Sequence, residues 1–200
     1  MAAQHNTDFL TALLLDENKH FTPIDFISKG IDGNYCCVCV SFGLASQYDK
    51  IRIAFGNEAL FCSEYFDIYT TAVNNYWSIV GGTTRQILVD EARIFYPQLM
   101  DTFSTTNLVS NTINKQYIFT LLAQIAVSRS CMIVLRDENA FIVIHYEGDD
   151  YLIIDPHVEF CGILSSVGIY KYIVYDSIWD FDVHVLIPSI PADSDVQLAN

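Results

Sequence analysis

The chain has 200 residues, of which 52% are hydrophobic and 14% aromatic, and this composition excludes a disordered protein and suits a single domain with a substantial core. Its formal net charge is −14, with ten Lys and Arg residues against 24 Asp and Glu. Nucleic acid is therefore a poor partner, because binding it depends on cations that neutralise phosphates. The longest apolar runs are far shorter than the roughly 20 residues that cross a bilayer, so we expect no membrane partner either.

The first two-thirds of the chain, residues 7–127, has mainly helical patterning. Caps such as Thr7 and Asp8, and apolar residues three and four positions apart, mark these segments. The pattern predicts helices over residues 7–19, 36–49, 57–77, 83–99 and 114–129.

From Ser130 the pattern changes to short β-branched and aromatic runs separated by polar turns. Glu147-Gly148-Asp149-Asp150 is a typical hairpin turn. The runs predict strands over residues 131–136, 140–147, 151–156, 171–176 and 183–188. Helices followed by strands predict an α+β fold, with an N-terminal helical part packed on a C-terminal, mostly antiparallel β-sheet.

We expect residues 1–188 to form one domain and residues 189–200 a polar tail. The first twenty residues carry no early positive charge and only a short apolar core, so we expect the start of an amphipathic helix instead of a signal peptide. The expected protein is an intracellular monomer of the cytoplasm or nucleus, or of the host cell if the source is viral or bacterial.

Three of the six cysteines, Cys36, Cys37 and Cys39, follow the turn Asp32-Gly33-Asn34. They could be small core residues, half of a zinc site, or a catalytic thiol with its neighbours. A structural zinc site needs a second pair of Cys or His at similar spacing, and the chain has none, so we expect no metal and no cofactor.

A catalytic thiol must ionise, and a helix N-terminus favours the thiolate because its unpaired backbone N–H groups and its dipole attract negative charge. The turn places Cys36 or Cys37 in the first turn of the next helix. Cys39 is expected to pack against the core.

A thiol nucleophile also needs a base. Of the five histidines, His157 stands out because it follows an apolar strand in the sequence Asp155-Pro156-His157. A carboxylate near a histidine can accept its Nδ1–H and stabilise the imidazolium. A thiol early in the chain and a histidine late in it is the order of papain-like enzymes.

These residues resemble the deubiquitinase domain at the N-terminus of herpesvirus large tegument proteins and its relatives. That family has Gly-x-Gln-Cys at the start of a helix and a strand hairpin followed by Asp-x-His. Gly33-Asn34-Tyr35-Cys36 aligns with the first motif, with Tyr35 in the place of Gln, and residues 151–157 align with the second. Asp32-Gly33-Asn34 also resembles the Asp-Gly-Asn-Cys opening of OTU-type deubiquitinases.

The resemblance implies a papain-like cysteine peptidase that cleaves isopeptide bonds at the C-terminal glycine of ubiquitin or a ubiquitin-like modifier. It implies Cys36 as the nucleophile, His157 as the general base and acid, and Asp155 as the residue that orients the histidine. The family's upstream oxyanion-hole Gln is missing, and Thr22 or Asn34 would replace it. The alternatives are Cys37 as the nucleophile, a non-catalytic ubiquitin-binding domain of the same fold, and a papain-like peptidase with another substrate.

Overall fold

The computed structural model describes residues 35–108, 115–128, 130–136, 139–156, 160–174 and 181–188. In these ranges the helices are α1 (Cys37–Ser46), α2 (Tyr48–Ala54), α3 (Glu58–Val80), α4 (Val89–Arg93), α5 (Lys115–Ser128) and α6 (Ser166–Val174). The strands are β1 (Leu99–Leu108), β2 (Cys131–Arg136), β3 (Asn139–Glu147), β4 (Asp150–Asp155), β5 (Phe160–Ser165) and β6 (Phe181–Pro188).

The strands form one antiparallel sheet of six in the order β1-β6-β2-β3-β4-β5. Strands β2 to β5 are sequential neighbours, and the hairpin between β3 and β4 turns at Gly148, whose φ of 55° suits a residue without a Cβ. This confirms the predicted turn and the antiparallel arrangement.

Helices cover both faces of the sheet. The first face carries α1 to α4, with a core that includes Phe42, Phe61 and Tyr65. The second face carries α5 and α6, with a core that includes Leu122 and Ile169. The expected packing of the N-terminal helices on the C-terminal sheet is therefore confirmed for the described helices α1 to α4.

Side chains along β3 alternate between the two faces. Ala140, Ile142 and Ile144 pack in the core under α1, whereas Phe141 and Val143 pack under α5 and α6. Because both faces are buried, the strand reads in sequence as a continuous apolar run instead of alternating with polar residues.

The long helix α3 has clear start and stop signals. The Asn57 side chain accepts a hydrogen bond from the Leu60 N–H at 3.1 Å, which satisfies one of the unpaired donors of the first turn. Gly81 ends the helix in the left-handed conformation, with φ at 64°. No helix in the described ranges is long and apolar enough to span a membrane.

Several predicted elements are confirmed: the helices over residues 57–77 and 114–129, and the strands over residues 131–136, 140–147, 151–156 and 183–188. The helix expected over residues 36–49 forms, but it breaks at Gln47 and a second helix begins at Tyr48. The predicted helix over residues 7–19 and the tail over residues 189–200 lie outside the described residues.

The strand predicted over residues 171–176 is wrong, because α6 runs through Val174. Ile169, Tyr172 and Ile173 lie three and four positions apart and are all buried against the sheet. The hydroxyl of Ser165 accepts a hydrogen bond from the Gly168 N–H at 3.1 Å and so caps the helix start.

The helix predicted over residues 83–99 is also largely wrong. Only α4, five residues long, forms there, and β1 begins at Leu99. The Tyr76 hydroxyl exchanges hydrogen bonds of 3.0 and 2.9 Å with the N–H and carbonyl of Arg85, which ties down the segment before α4. Pro97 disfavours helical conformation at the residue before it. The sequence patterns also missed strands β1 and β5.

Candidate active site

The structure places two of the predicted catalytic residues at the ends of regular elements. Cys36 is the N-cap of α1, Cys37 is its first residue, and Asp155 is the last residue of β4. The prediction that Cys36 or Cys37 begins a helix is confirmed. His157, Thr22 and Asn34 lie outside the described residues.

The start of α1 can hold negative charge. The Cys36 carbonyl accepts the Val40 N–H at 2.9 Å, so the first helical turn runs from Cys36. The backbone N–H groups of that turn have no carbonyl partner within the helix. Such groups favour a thiolate and can donate to an oxyanion that forms beside it.

The same helix start lies beside the beginning of β3, the strand that pairs with β4. The Cys37 thiol has a hydrogen bond with the backbone of Ala140, near the beginning of β3. Two residues further along, Ile142 pairs with Ile154 of β4, which precedes Asp155. The charge of Asp155 acts on Cys37 and adds to the rise in the pKa of that thiol. The fold therefore brings together a cysteine pair and an aspartate that are more than a hundred residues apart in sequence.

Tyr65 of α3 links the two sides of this region. It is 2% exposed, and burial raises its pKa well above the usual value. The charges that add to this rise include those of Cys161, Cys36 and Asp155. Tyr65 is thus a buried neighbour of both the helix start and the strand end, and the sequence patterns gave it only a packing role.

Asp155 is held by a residue of α6. The residue is 1% exposed, and Oδ2 accepts a hydrogen bond from the Tyr172 hydroxyl at 2.7 Å. Ile153 and Tyr151, two and four residues earlier in β4, also pack on the α6 face of the sheet. Tyr172 was not among the predicted site residues, because its sequence pattern predicted a strand there. The buried spacing of Ile169, Tyr172 and Ile173 was the available signal.

The three clustered cysteines differ in their surroundings. Burial raises the pKa of Cys37 to about 11 and that of Cys39 to about 12, and nearby negative charge adds to both. Both thiols are therefore protonated near neutral pH and are poor nucleophiles as they stand. Cys39 is 0% exposed in the core under α1, which confirms its predicted packing role.

Cys36 is also well covered, with 1% of its surface exposed. A substrate carbonyl can reach its sulfur only after the atoms that cover it have moved. Tyr35, at the position where the resembled family has Gln, is half-buried and packs against the same core.

A cleft of about 590 Å³ lies at the opposite end of the sheet. Its lining includes Tyr48 and Arg52 from α2, Ile125 from α5, and His145 and Glu147 from the end of β3. Of the predicted catalytic residues within the described ranges, neither Cys36 nor Asp155 lines it. Within the described ranges, no three or more His, Cys, Asp or Glu residues gather in a group that could hold a metal ion.

No known protein family and no curated protein sequence matches the chain. Among solved structures, it is similar to the ubiquitin-specific protease encoded by murine cytomegalovirus tegument protein M48, whose structure is a complex with a ubiquitin-based suicide substrate. That similarity has 11% identity and a TM-score of 0.48, over 78% of this chain and 79% of the other. The chain is also similar to the Pseudomonas avirulence protein AvrPphB, with 12% identity and a TM-score of 0.40, over 87% of this chain and 99% of the other. Because these identities and TM-scores are low, the site is assigned from the residues described above and not from these two structures.

Proposed function

We propose that the chain is a cysteine peptidase that hydrolyses the isopeptide bond at the C-terminal glycine of ubiquitin or a ubiquitin-like modifier. The observation that carries the proposal is the position of Cys36 at a helix start that packs on β3 and lies close enough to Asp155 for that charge to act on the neighbouring Cys37. Because His157 follows Asp155 by two residues in the sequence, this position supports a thiol nucleophile that works with a base and an orienting carboxylate.

In the proposed reaction, His157 takes the proton of Cys36, and the thiolate attacks the carbonyl carbon of the terminal glycine. Asp155 stabilises the imidazolium that results. The backbone N–H groups at the start of α1 donate to the oxyanion, helped by the side chain of Thr22 or Asn34. The imidazolium then protonates the leaving lysine amine, and water hydrolyses the thioester.

Cys36 is a better nucleophile in this scheme than its neighbour. As the N-cap it lies at the end of the helix where the backbone N–H groups have no carbonyl partner within the helix. The pKa of Cys37, raised to about 11 by burial, keeps that thiol protonated.

Net charge supports the choice of substrate. Ubiquitin presents an extended basic tail, and a chain with a net charge of −14 attracts it over a distance. Such steering weakens with ionic strength, so we expect the association rate with ubiquitin to fall as salt is added.

The test is a ubiquitin derivative that carries an electrophile at its C-terminus. We expect the wild-type chain to be labelled covalently, and we expect Cys36→Ala or His157→Ala to abolish labelling. Cys37→Ala and Cys39→Ala should keep it. Cys62→Ala is the control for non-specific alkylation, because Cys62 is half-buried on α3 while the other five cysteines are buried.

Two results would contradict this assignment. Labelling that survives Cys36→Ala but not Cys37→Ala would move the nucleophile by one residue. If no ubiquitin or ubiquitin-like probe labels the wild-type chain, the proposed activity is wrong.

The second candidate is a domain of the same fold that binds ubiquitin without hydrolysing any bond. The near-complete burial of Cys36 favours it, because a sulfur that stays covered cannot attack a substrate. Calorimetric titration with ubiquitin would then show binding while the probe leaves Cys36 unmodified.

A further inference from the structure

The cysteines at the start of α1 contain a second motif, Cys36-Cys37-Val38-Cys39, which is a Cys-x-x-Cys sequence. Cys36 is the N-cap and Cys39 the third residue of the helix, so both lie in its first turn. This is the setting in which disulfide oxidoreductases place their paired thiols.

Helix geometry puts the two residues within bridging distance. A rise of 1.5 Å per residue and 3.6 residues per turn give a Cα separation of about 5 Å between positions three apart. Disulfides span Cα separations of about 4.4–6.8 Å. Side chains three apart have Cβ atoms about 5–6 Å from each other, so closing the bridge needs a local shift of about 1–2 Å. The end of a helix tolerates such a shift better than its middle does.

The causes of the raised pKa of Cys39 also indicate that the two thiols are neighbours. Burial is the largest cause of the raised pKa of Cys39, and the charge of Cys36 is the next, ahead of Cys37 and Glu91.

We propose that Cys36 and Cys39 form a reversible intramolecular disulfide when the protein meets a peroxide. In the first step, the Cys36 thiolate attacks one oxygen of hydrogen peroxide, the O–O bond breaks, and Cys36 becomes a sulfenic acid with release of hydroxide. In the second, the sulfur of the Cys39 thiol attacks the sulfenic sulfur, the S–S bond forms, the S–O bond breaks, and the Cys39 proton leaves with the departing oxygen as water. Two thiols are oxidised, one peroxide is reduced, and two waters result.

The other cysteines are less suited to resolve Cys36. Cys37 is adjacent, and residues one apart on a helix do not face each other. Its thiol is also held by the backbone of Ala140. Cys131 lies opposite Ile144 of β3. Ile144 is four residues along that strand from Ala140, a separation of roughly 13 Å at the spacing of a strand. Cys161 is a neighbour of Tyr65 but belongs to β5, outside the helix turn.

The bridge would have a functional consequence, and this part alone rests on the proposed peptidase activity. A disulfide at Cys36 removes the nucleophile, and reduction restores it. Cys39 would also protect Cys36 from irreversible oxidation to the sulfinic acid.

The test begins with the reduced full-length chain, treated with hydrogen peroxide, alkylated at its remaining thiols and mapped by mass spectrometry. The Cys37→Ala variant gives the sharpest result, because its peptide over residues 36–39 contains only the two proposed partners. We expect that peptide to lose two hydrogens and to regain them with dithiothreitol. A peptide that stays reduced, or that only gains oxygen, would overturn the proposal.

The matching variant is Cys39→Ala. We expect it to form no disulfide at Cys36 and to accumulate several-fold more sulfinic acid than the wild type. Cys62→Ala should behave as the wild type does. If Cys39→Ala still forms an intramolecular bridge at Cys36, another cysteine is the partner and the proposal is wrong. If Cys39→Ala does not fold, the Cys37→Ala peptide decides alone. The readout is a mass, so it gives an answer whether or not ubiquitin probes label the protein.

Discussion

Replacing Tyr172 by phenylalanine tests how the fold holds Asp155. The substitution keeps the buried ring, which packs edge-on against Phe141 with centroids 5.3 Å apart, and removes only the hydroxyl that donates to Asp155. Because the carboxylate is 1% exposed, water cannot easily replace the lost donor.

The magnitude follows from the kind of hydrogen bond. Hydrogen bonds to charged groups contribute about 1.5–3 kcal/mol to stability, against about 1 kcal/mol for neutral pairs. We therefore expect Tyr172→Phe to lower the free energy of unfolding by about 1.5–3 kcal/mol, roughly a 10- to 150-fold change in the folding equilibrium. Urea unfolding at neutral pH measures it, and the slope with denaturant should stay the same, because the surface exposed on unfolding does not change.

A double-mutant cycle with Asp155→Ala, which removes both oxygens that can accept from Tyr172, assigns the loss to this pair. Residues in direct contact show coupling energies of about 0.5–3 kcal/mol. The control is Tyr170→Phe on the same helix, where the half-buried ring stacks on Phe119 and keeps that contact. If Tyr172→Phe behaves like Tyr170→Phe, or if the two single losses simply add, the hydroxyl does not hold Asp155 and the reasoning fails.

Three further predictions concern the helices that position α1. Asn57→Ala should cost about 1 kcal/mol in urea unfolding, because it removes the side-chain cap of α3. Gly43→Val should cost about 2 kcal/mol, because even a Cβ at that position would come within 3.0 Å of Ile68 Cγ2. The hydrogen bonds from Arg85 hold the pKa of Glu91 at about 2, below the usual 4.5. This pairing therefore stabilises the fold above about pH 4.5 and is lost as the pH falls towards 2. Carbon-13 NMR should follow the titration, and Arg85→Met should raise the pKa.

The first two of these predictions have control variants, and the third has a result that would contradict it. Asn57→Asp keeps a capping oxygen and should keep most of the stability. Gly56→Val adds the same side chain at a glycine where a Cβ meets nothing within 4 Å, so its effect should be small. A Glu91 carboxyl that titrates near its ordinary value in the wild-type chain would show that its pairing with Arg85 does not persist in solution.

The sequence was sufficient for the elements in which one signal dominates. Strands β2, β3 and β4 have apolar runs too short for helices and bounded by polar turns. Helix α3 has apolar residues at regular helical spacing over more than five turns, with a cap at one end. For these segments, local preference and the final packing agree.

The sequence failed where packing chose against local preference. Residues 171–174 have the aromatic and β-branched side chains of a strand, yet burial against the sheet draws them into α6. Strand β1 has the sequence LMDTFSTTNL, which lacks an apolar run and owes its conformation to pairing with β6. Pairing between distant segments leaves little trace in the local pattern.

The candidate site divides in the same way. A cysteine at a helix start and the Asp-Pro-His sequence could be recognised locally, and the turn before Cys36 gave the position of the helix. That α1 begins near Asp155 depends on Cys37 meeting Ala140 of β3, a contact across a hundred residues. The support of Asp155 by Tyr172 depends on α6, which the local pattern misassigned.

The burial of the sheet on both faces has a consequence for how the chain reaches its native state. Strand β3 has no solvent-facing side between Ala140 and Ile144, so it has no room for the charged residues that keep an unpaired strand from associating with other chains. Until α1 and α5 have both docked, the sequence AFIVI is a short, uncharged, β-prone stretch open to intermolecular pairing. Refolding from denaturant should therefore be efficient only at low protein concentration. Once folded, the amides of β3 should be among the slowest in the chain to exchange with solvent.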